Sequence, residues 1–149
     1  MIGLVQRVTQ ASVSVEQQII GKIGPGILLF LGVEALDNEL NVQKMVNKLL
    51  KFRMFNDDLG KMNWNIEQVK GDILVVSQFT LVADTQKGNR PGFSRGASPE
   101  QGNAIYNTFV EQLTARINLP DMHVATGKFG ADMQVALVND GPVTFNLQT

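Results

Sequence analysis

The sequence predicts an α+β fold: a mainly antiparallel sheet, closed into a barrel-like core, with two helices packed outside. Three observations lead there. Short runs rich in Val, Ile, Leu and Phe recur between Gly, Pro and Asn turn signals. Only two stretches have helical period, and each has a start signal. Those two lie far apart, so the regular strand–helix alternation of a doubly wound sheet is missing. With 149 residues, 44% of them hydrophobic, the chain reads as one domain over 1–149 with a substantial core.

Residues 2–15 form the first strand, with Val13 and Val15 alternating around Ser14 and a bend or bulge near Arg7–Gln10. Gln17-Gln18 turns into a strand over 19–23, and Gly24-Pro25-Gly26 turns into another over 27–33. Three strands so close together predict an antiparallel meander. Asp37 is placed to cap a helix over 38–51, whose Val42, Met45, Val46, Leu49 and Leu50 share one face. A short strand over 52–55 and a turn over 56–60 follow, and Trp64 pins the weakly patterned stretch 61–70.

Residues 72–83 predict a further strand. Its first part, Ile73-Leu74-Val75-Val76, is apolar and rich in β-branched residues, the pattern of a strand buried on both faces. Residues 85–97 are the longest irregular stretch. Ser98, Pro99 and Gln101 then open a second helix as N-cap, first position and capping box. Ile105, Phe109, Leu113 and Ile117 mark its buried face, and Leu119-Pro120 closes it near 118. Short strands over 123–126 and 133–138, a tight turn at Asn139-Asp140-Gly141-Pro142, and a last strand over 143–147 complete the chain.

Composition excludes several functions. A net charge of −1 argues against a broad basic surface for duplex DNA. With no cysteine there is no disulfide, thiol nucleophile or thiolate metal site, and a single histidine cannot build a zinc site. Asp57-Asp58 lacks the spacing of a calcium loop. Neither metal nor cofactor is expected. The N-terminal stretch meets Gln6 and Arg7 before a signal-peptide core develops, and the longest apolar run is too short to span a bilayer. A cytoplasmic protein without membrane contact is expected.

Gly92-Phe93-Ser94-Arg95-Gly96 matches the G-x-S-x-G nucleophile elbow, with Asp121 and His123 following in the right order. The elbow requires a buried strand ending at its first glycine, and Lys87-Gly88-Asn89-Arg90-Pro91 cannot be that strand. A basic loop leading to a helix cap is the better reading, and a serine esterase through Ser94 is the rival. Lys87, Arg90 and Arg95 lie on this loop with no acidic residue, so either a phosphate contact or an ordinary solvated loop fits them, and Phe93 could pack on a base. Ser77, Gln78 and Thr80 bring polar groups to the end of a buried strand, where they line a ligand pocket or alternate onto a solvated face. Gly141-Pro142 is a plain turn or a cis pair.

Ser77-Gln78-Phe79-Thr80-Leu81, taken with Asn139-Asp140-Gly141-Pro142-Val143-Thr144, resembles the paired motifs of the D-aminoacyl-tRNA deacylases. Gln6-Arg7-Val8, Ala11-Ser12-Val13, Arg90-Pro91 and Gly96-Ala97-Ser98-Pro99 are also similar to that family, so the likeness runs over essentially the whole chain. It implies the family's fold and a homodimer that hydrolyses the ester between a D-amino acid and the terminal adenosine of tRNA. It also implies that Ser77, Gln78, Phe79 and Thr80 form the catalytic pocket. Gly141 and Pro142 would be a cis pair inserted into the neighbouring subunit's pocket, held by Arg7, with Phe129 on the adenosine side. Lys87, Arg90 and Arg95 would then meet the phosphates of the tRNA 3′ end. A small dimeric module that binds ligand or RNA without catalysis is the rival outside enzymes.

Overall fold

The computed structural model of the chain describes every residue except Lys87 and Asn118. Its main sheet is built around β1 (Ile2–Val15), long enough to serve two neighbours on one side. The first half of β1 pairs antiparallel with β3 (Gly26–Gly32) and the second half with β2 (Gln18–Ile23). On its other side β1 pairs along its length with β8 (Gln134–Gln148). The expected meander is therefore corrected: β2 and β3 both pair with β1, one after the other along the same side, and do not pair in succession across the sheet.

The sheet is mainly antiparallel, as expected, through the three pairings of β1, but it is mixed. β6 (Asp72–Ser77) runs parallel to β3, and β7 (Val124–Thr126) runs parallel to β6. Parallel neighbours need long crossovers. The two crossovers contain α1 (Glu39–Lys51) and α2 (Pro99–Arg116) respectively. β4 (Phe55–Asn56) and β5 (Met62–Trp64) form a separate small hairpin. The main sheet nearly closes where β7 meets β2. A Cβ at Gly21 would lie 2.9 Å from the Thr126 carbonyl oxygen, so the seam needs a residue without a side chain there. His123 clasps the same seam, with Nδ1 2.8 Å from Asp72 Oδ1 and Nε2 3.3 Å from the Lys22 carbonyl oxygen.

The apolar run of β6 is buried on both faces, as its sequence requires. Ile73 and Val75 pack toward the helices with Phe109, Leu113, Met45 and Leu49. Leu74 and Val76 point into the barrel with Val8, Val13, Ile23 and Leu28. Among the described residues no helix is long and apolar enough to cross a membrane.

Four local expectations are corrected. Asn38, not Asp37, caps α1, its Oδ1 accepting from Leu40 N at 2.9 Å. Asp37 instead accepts from the Glu34 N–H and from the Met1 ammonium, each at 2.7 Å. Ser98 caps α2, but the Gln101 side chain donates to the Ala35 carbonyl at 3.0 Å and does not complete a capping box. The strand expected over 72–83 ends at Ser77, because its partner β3 ends at Gly32; Phe79–Val82 coil into a 3-10 turn. Finally, Asn139–Pro142 is no hairpin turn. β8 continues straight through it, and the extra residues form a bulge opposite Gln6–Val8, where the bend in β1 was expected.

Candidate active site

A cavity of about 490 Å³ opens at the end of β6. Ser77, Gln78 and Phe79 form one side, Phe129 and Met133 line it from the segment leading into β8, and Ser98 and Gly102 bring in the start of α2. The change from strand to 3-10 turn is what presents polar groups here. Gln78 N–H still donates to Leu31 O at 2.8 Å, the last ladder contact with β3. The chain then coils against Gly32, where an added Cβ would come within 3.0 Å of Leu81 Cβ. The N–H groups of Leu81 and Ala83 bond back to Gln78 O and Thr80 O. Those of Phe79 and Thr80 meet no acceptor among the described residues, as expected for the first residues of a helical turn.

Thr80 sits beside the cavity and is exposed. Gln78 Nε2 donates to Thr80 Oγ1 at 2.6 Å, which fixes the hydroxyl oxygen and leaves its proton free to point elsewhere. Behind the cavity, the buried Tyr106 of α2 donates to Val75 O on β6 at 2.9 Å, and its ring lies 5.9 Å from that of Phe129. Burial pushes the Tyr106 phenol up to about 12.

The second group forms around Arg7, which is buried in β1. Its Nε donates to the Asp140 carbonyl at 3.0 Å and its Nη1 to the Met54 carbonyl at 2.9 Å. Asp140 Oδ2 lies 3.2 Å from the same Nε. Gly141-Pro142 is a cis peptide bond, and both residues are exposed. Asn139 closes the bulge: its Oδ1 accepts from Val143 N at 2.7 Å, and its Nδ2 donates to Thr144 Oγ1 at 3.0 Å. Gly141 has a φ of +142°, and an added Cβ would lie 2.6 Å from Val143 Cγ2, so only glycine fits.

The two groups do not meet within one chain. The cavity reaches β8 only at Val135, with Met133 just before the strand. Gly141 lies six residues further along the strand, roughly 20 Å at the usual rise of an extended chain.

Of the cationic residues, Lys87 lies outside the described residues. Arg90 is exposed. Arg95 is committed in part, because its Nη2 lies 2.7 Å from Glu34 Oε1. The Met1 ammonium, bonded to the other oxygen of Glu34 at 2.9 Å, and Arg95 together hold that carboxyl below the usual carboxylate range. Ser94 lies on an exposed loop, while both ring nitrogens of His123 face groups at the β2–β7 seam, so the residues of the hydrolase elbow are not assembled. Sequence reasoning missed Gly102, Tyr106 and Met133. Gly102 alone carried a signal, as a glycine in the first turns of a helix that otherwise loses stability by having it.

The family described as D-Tyr-tRNA(Tyr) deacylase matches residues 4–148. The chain is 64% identical over 146 residues to a D-aminoacyl-tRNA deacylase of Alteromonas mediterranea, with 98% of each chain covered. It is 58% identical to that of Pseudoalteromonas atlantica, with 99% of each covered. Among solved structures, the c-Myc DNA unwinding element binding protein superposes with a TM-score of 0.93 at 42% identity, over 100% of this chain and 99% of that one. A probable eukaryotic D-amino acid tRNA deacylase superposes with a TM-score of 0.81 at 17% identity, over 98% of each, a likeness of fold. Matched from end to end by this family and its curated relatives, the chain belongs to the D-Tyr-tRNA(Tyr) deacylase family.

Proposed function

We propose that the protein hydrolyses the ester bond of D-aminoacyl-tRNA, releasing free D-amino acid and tRNA, and so serves as a chiral proofreader in translation. The observation that carries this reading is the pair of N–H groups, Phe79 and Thr80, unengaged among the described residues, at the mouth of a nucleoside-sized cavity. An aminoacyl ester is already activated. When water adds to its carbonyl carbon, negative charge develops on the carbonyl oxygen. Two backbone donors aimed at that oxygen are worth about 3–4 kcal/mol each when well placed. The tetrahedral intermediate then expels the ribose oxygen, which takes up a proton as the ester bond breaks.

Among the described residues no side chain of the cavity wall is a strong base: Ser77, Gln78 and Ser98 are its polar groups and Phe79 and Phe129 its aromatic ones. The ribose 2′-hydroxyl of the substrate therefore assists the attacking water. Thr80, with its oxygen held by Gln78, orients the substrate and does not attack. Phe129 lies on the adenosine side.

Chirality follows from what fills the space around the α-carbon. The Gly141-Pro142 corner, fixed by Arg7 and Asn139, cannot reach the cavity of its own chain. In a homodimer it enters the cavity of the second copy, and its carbonyl groups occupy the volume that an L side chain requires. Exclusion by clash rejects every L residue alike and leaves D side chains uncontacted. Arg90 and Arg95 add contacts to the phosphates of the tRNA 3′ end, and Lys87 adds a third cation in sequence. The net charge of −1 suits a protein that grips only that end and not duplex DNA.

The deciding experiment is release of amino acid from D-, L- and glycyl-tRNA. Fast release of D and glycine with L resistant supports the reading, since glycine has no side chain to clash. Resistant glycyl esters would defeat exclusion by clash, and no release of any D ester would leave a binding module. Loss of activity in Ser94→Ala with Gly141 intact would restore the serine esterase.

A further inference from the structure

Phe79 and Phe93 are both exposed, at 66% and 42%, yet they lie against one another with ring centroids 5.1 Å apart. Phe79 lines the cavity, so this aromatic pair forms a shelf at its mouth. The shelf is held in place. Asp84 and Gly92 exchange two backbone hydrogen bonds, at 2.8 and 2.9 Å, closing the loop before Phe93. After it, Gly96 N–H donates to Phe93 O at 3.1 Å, Ala35 N–H to Arg95 O at 2.9 Å, and Ala97 N–H to Val33 O at 3.1 Å. Apolar rings presented to water on a pinned loop lose free energy unless something covers them. The surroundings indicate what covers them. Residues 85–97 contain Lys87, Arg90 and Arg95 and no acid, and Arg90 is exposed without an ion pair among the described residues. Flat aromatic faces beside cations are the features that hold single-stranded nucleic acid.

We propose that Phe93, backed by Phe79, is a stacking platform for the base of the nucleotide immediately 5′ of the terminal adenosine, with Arg90 meeting its phosphate. This rests on the reading of the cavity as the aminoacyl-adenosine site: a chain whose last nucleoside fills the cavity leaves it across this shelf. Stacking uses the π-face that every base has, so the platform adds affinity without choosing a sequence.

The test compares two D-aminoacyl esters, one on adenosine alone and one on the trinucleotide CCA. The wild type gains about tenfold in kcat/KM from the added nucleotides, the scale of one stacked base. Phe93→Leu keeps an apolar contact with Phe79 but has no flat face. It loses most of that gain and cleaves the adenosine ester at the wild-type rate, while Phe93→Tyr keeps the gain. Equal gains in wild type and Phe93→Leu overturn the platform. So does a parallel fall on both esters, which marks a purely structural role through Phe79. Binding of uncharged CCA and adenosine separates the two levels. Tight CCA binding by a wild type that cleaves no D ester defeats the deacylase reading alone. CCA affinity unchanged in Phe93→Leu defeats the platform alone.

Discussion

The buried guanidinium of Arg7 holds the Asp140 carbonyl at 3.0 Å, tying β1 to the residue before the exposed Gly141-Pro142 corner. Its other arm reaches Met54 O at 2.9 Å, and Nη2 lies 3.3 Å from where a Cβ on Gly141 would be. Arg7→Ala leaves two carbonyls without this donor, at about 1–3 kcal/mol for each that stays unsatisfied. Chemical denaturation should show a loss of a few kcal/mol on this scale. Arg7→Lys recovers one contact at most, because an ammonium lacks the planar fork. In the folded Arg7→Lys protein the D-to-L rate ratio should fall more than the rate on D substrate. A ratio equal to wild type would mean that Arg7 supports the fold and not the corner.

Thr80 and Gln78 make a second linked pair. With Oγ1 accepting from Gln78 at 2.6 Å, the Thr80 hydroxyl can donate outward. Thr80→Val keeps the shape without that donor and should lower kcat roughly tenfold, the worth of one good hydrogen bond to a charged or developing-charge group. Thr80→Ser should stay close to wild type. Trapping an acyl group on Thr80 of the wild-type protein would overturn the orienting role.

How much of this was legible in the chain depends on whether the cause was local. The burial of Ile73–Val76 on both faces and the start of α2 at Ser98-Pro99 are written in neighbouring residues, and both were read correctly. The end of β6 at Ser77 was not, because it is set by where β3 ends, some 45 residues earlier in sequence. For the same reason Asn139-Asp140-Gly141-Pro142 has the composition of a turn but forms a bulge: the pairing of both its flanks with β1 overrides local preference. Asp37 and Asn38 are both good caps by type, and Asp37 was taken by the Glu34 N–H and the Met1 ammonium instead. From residue chemistry alone the site motifs were visible as polar residues at a strand end and a Gly-Pro corner, and only the family resemblance joined them into one site. That Ser77–Phe79 and Phe129 share one cavity, and that Gly141-Pro142 lies away from it, needed the fold.

Alkaline pH tests the packing behind the cavity. Tyr106 is the only tyrosine, so tyrosinate absorbance reports it alone. Burial raises its phenol to about 12, against about 10 when exposed in the unfolded chain. The sign follows from the neutral form being favoured in the folded state. This contribution is complete below pH 10 and is lost as pH rises through about 12, up to about 2–3 kcal/mol in all. Tyr106→Phe should lose only about 1 kcal/mol at neutral pH, because Val75 O keeps its bond from Gly127 N at 2.8 Å. Its stability should then fall less steeply than wild type above pH 10. Parallel curves for the two proteins would show that the phenol is not buried in solution.

Gly102 offers a test in which stability and binding should move in opposite directions. It lies in the first turns of α2, buried, and a Cβ there would come 3.2 Å from Phe129 Cζ. Alanine is favoured over glycine within a helix by up to about 1 kcal/mol. The contact is tight but is made with the tip of a ring at the cavity wall, which can tilt toward the open side. Gly102→Ala should therefore fold with unchanged or slightly raised stability. The displaced Phe129 should narrow the nucleoside side of the cavity, raising KM several-fold while kcat changes little, because the Phe79 and Thr80 N–H groups stay in place. Thermal unfolding together with steady-state kinetics reads both. A fall in kcat at constant KM would place Phe129 with the reacting atoms and remove it from the adenosine side, and a marked loss of stability would mean that the ring cannot yield.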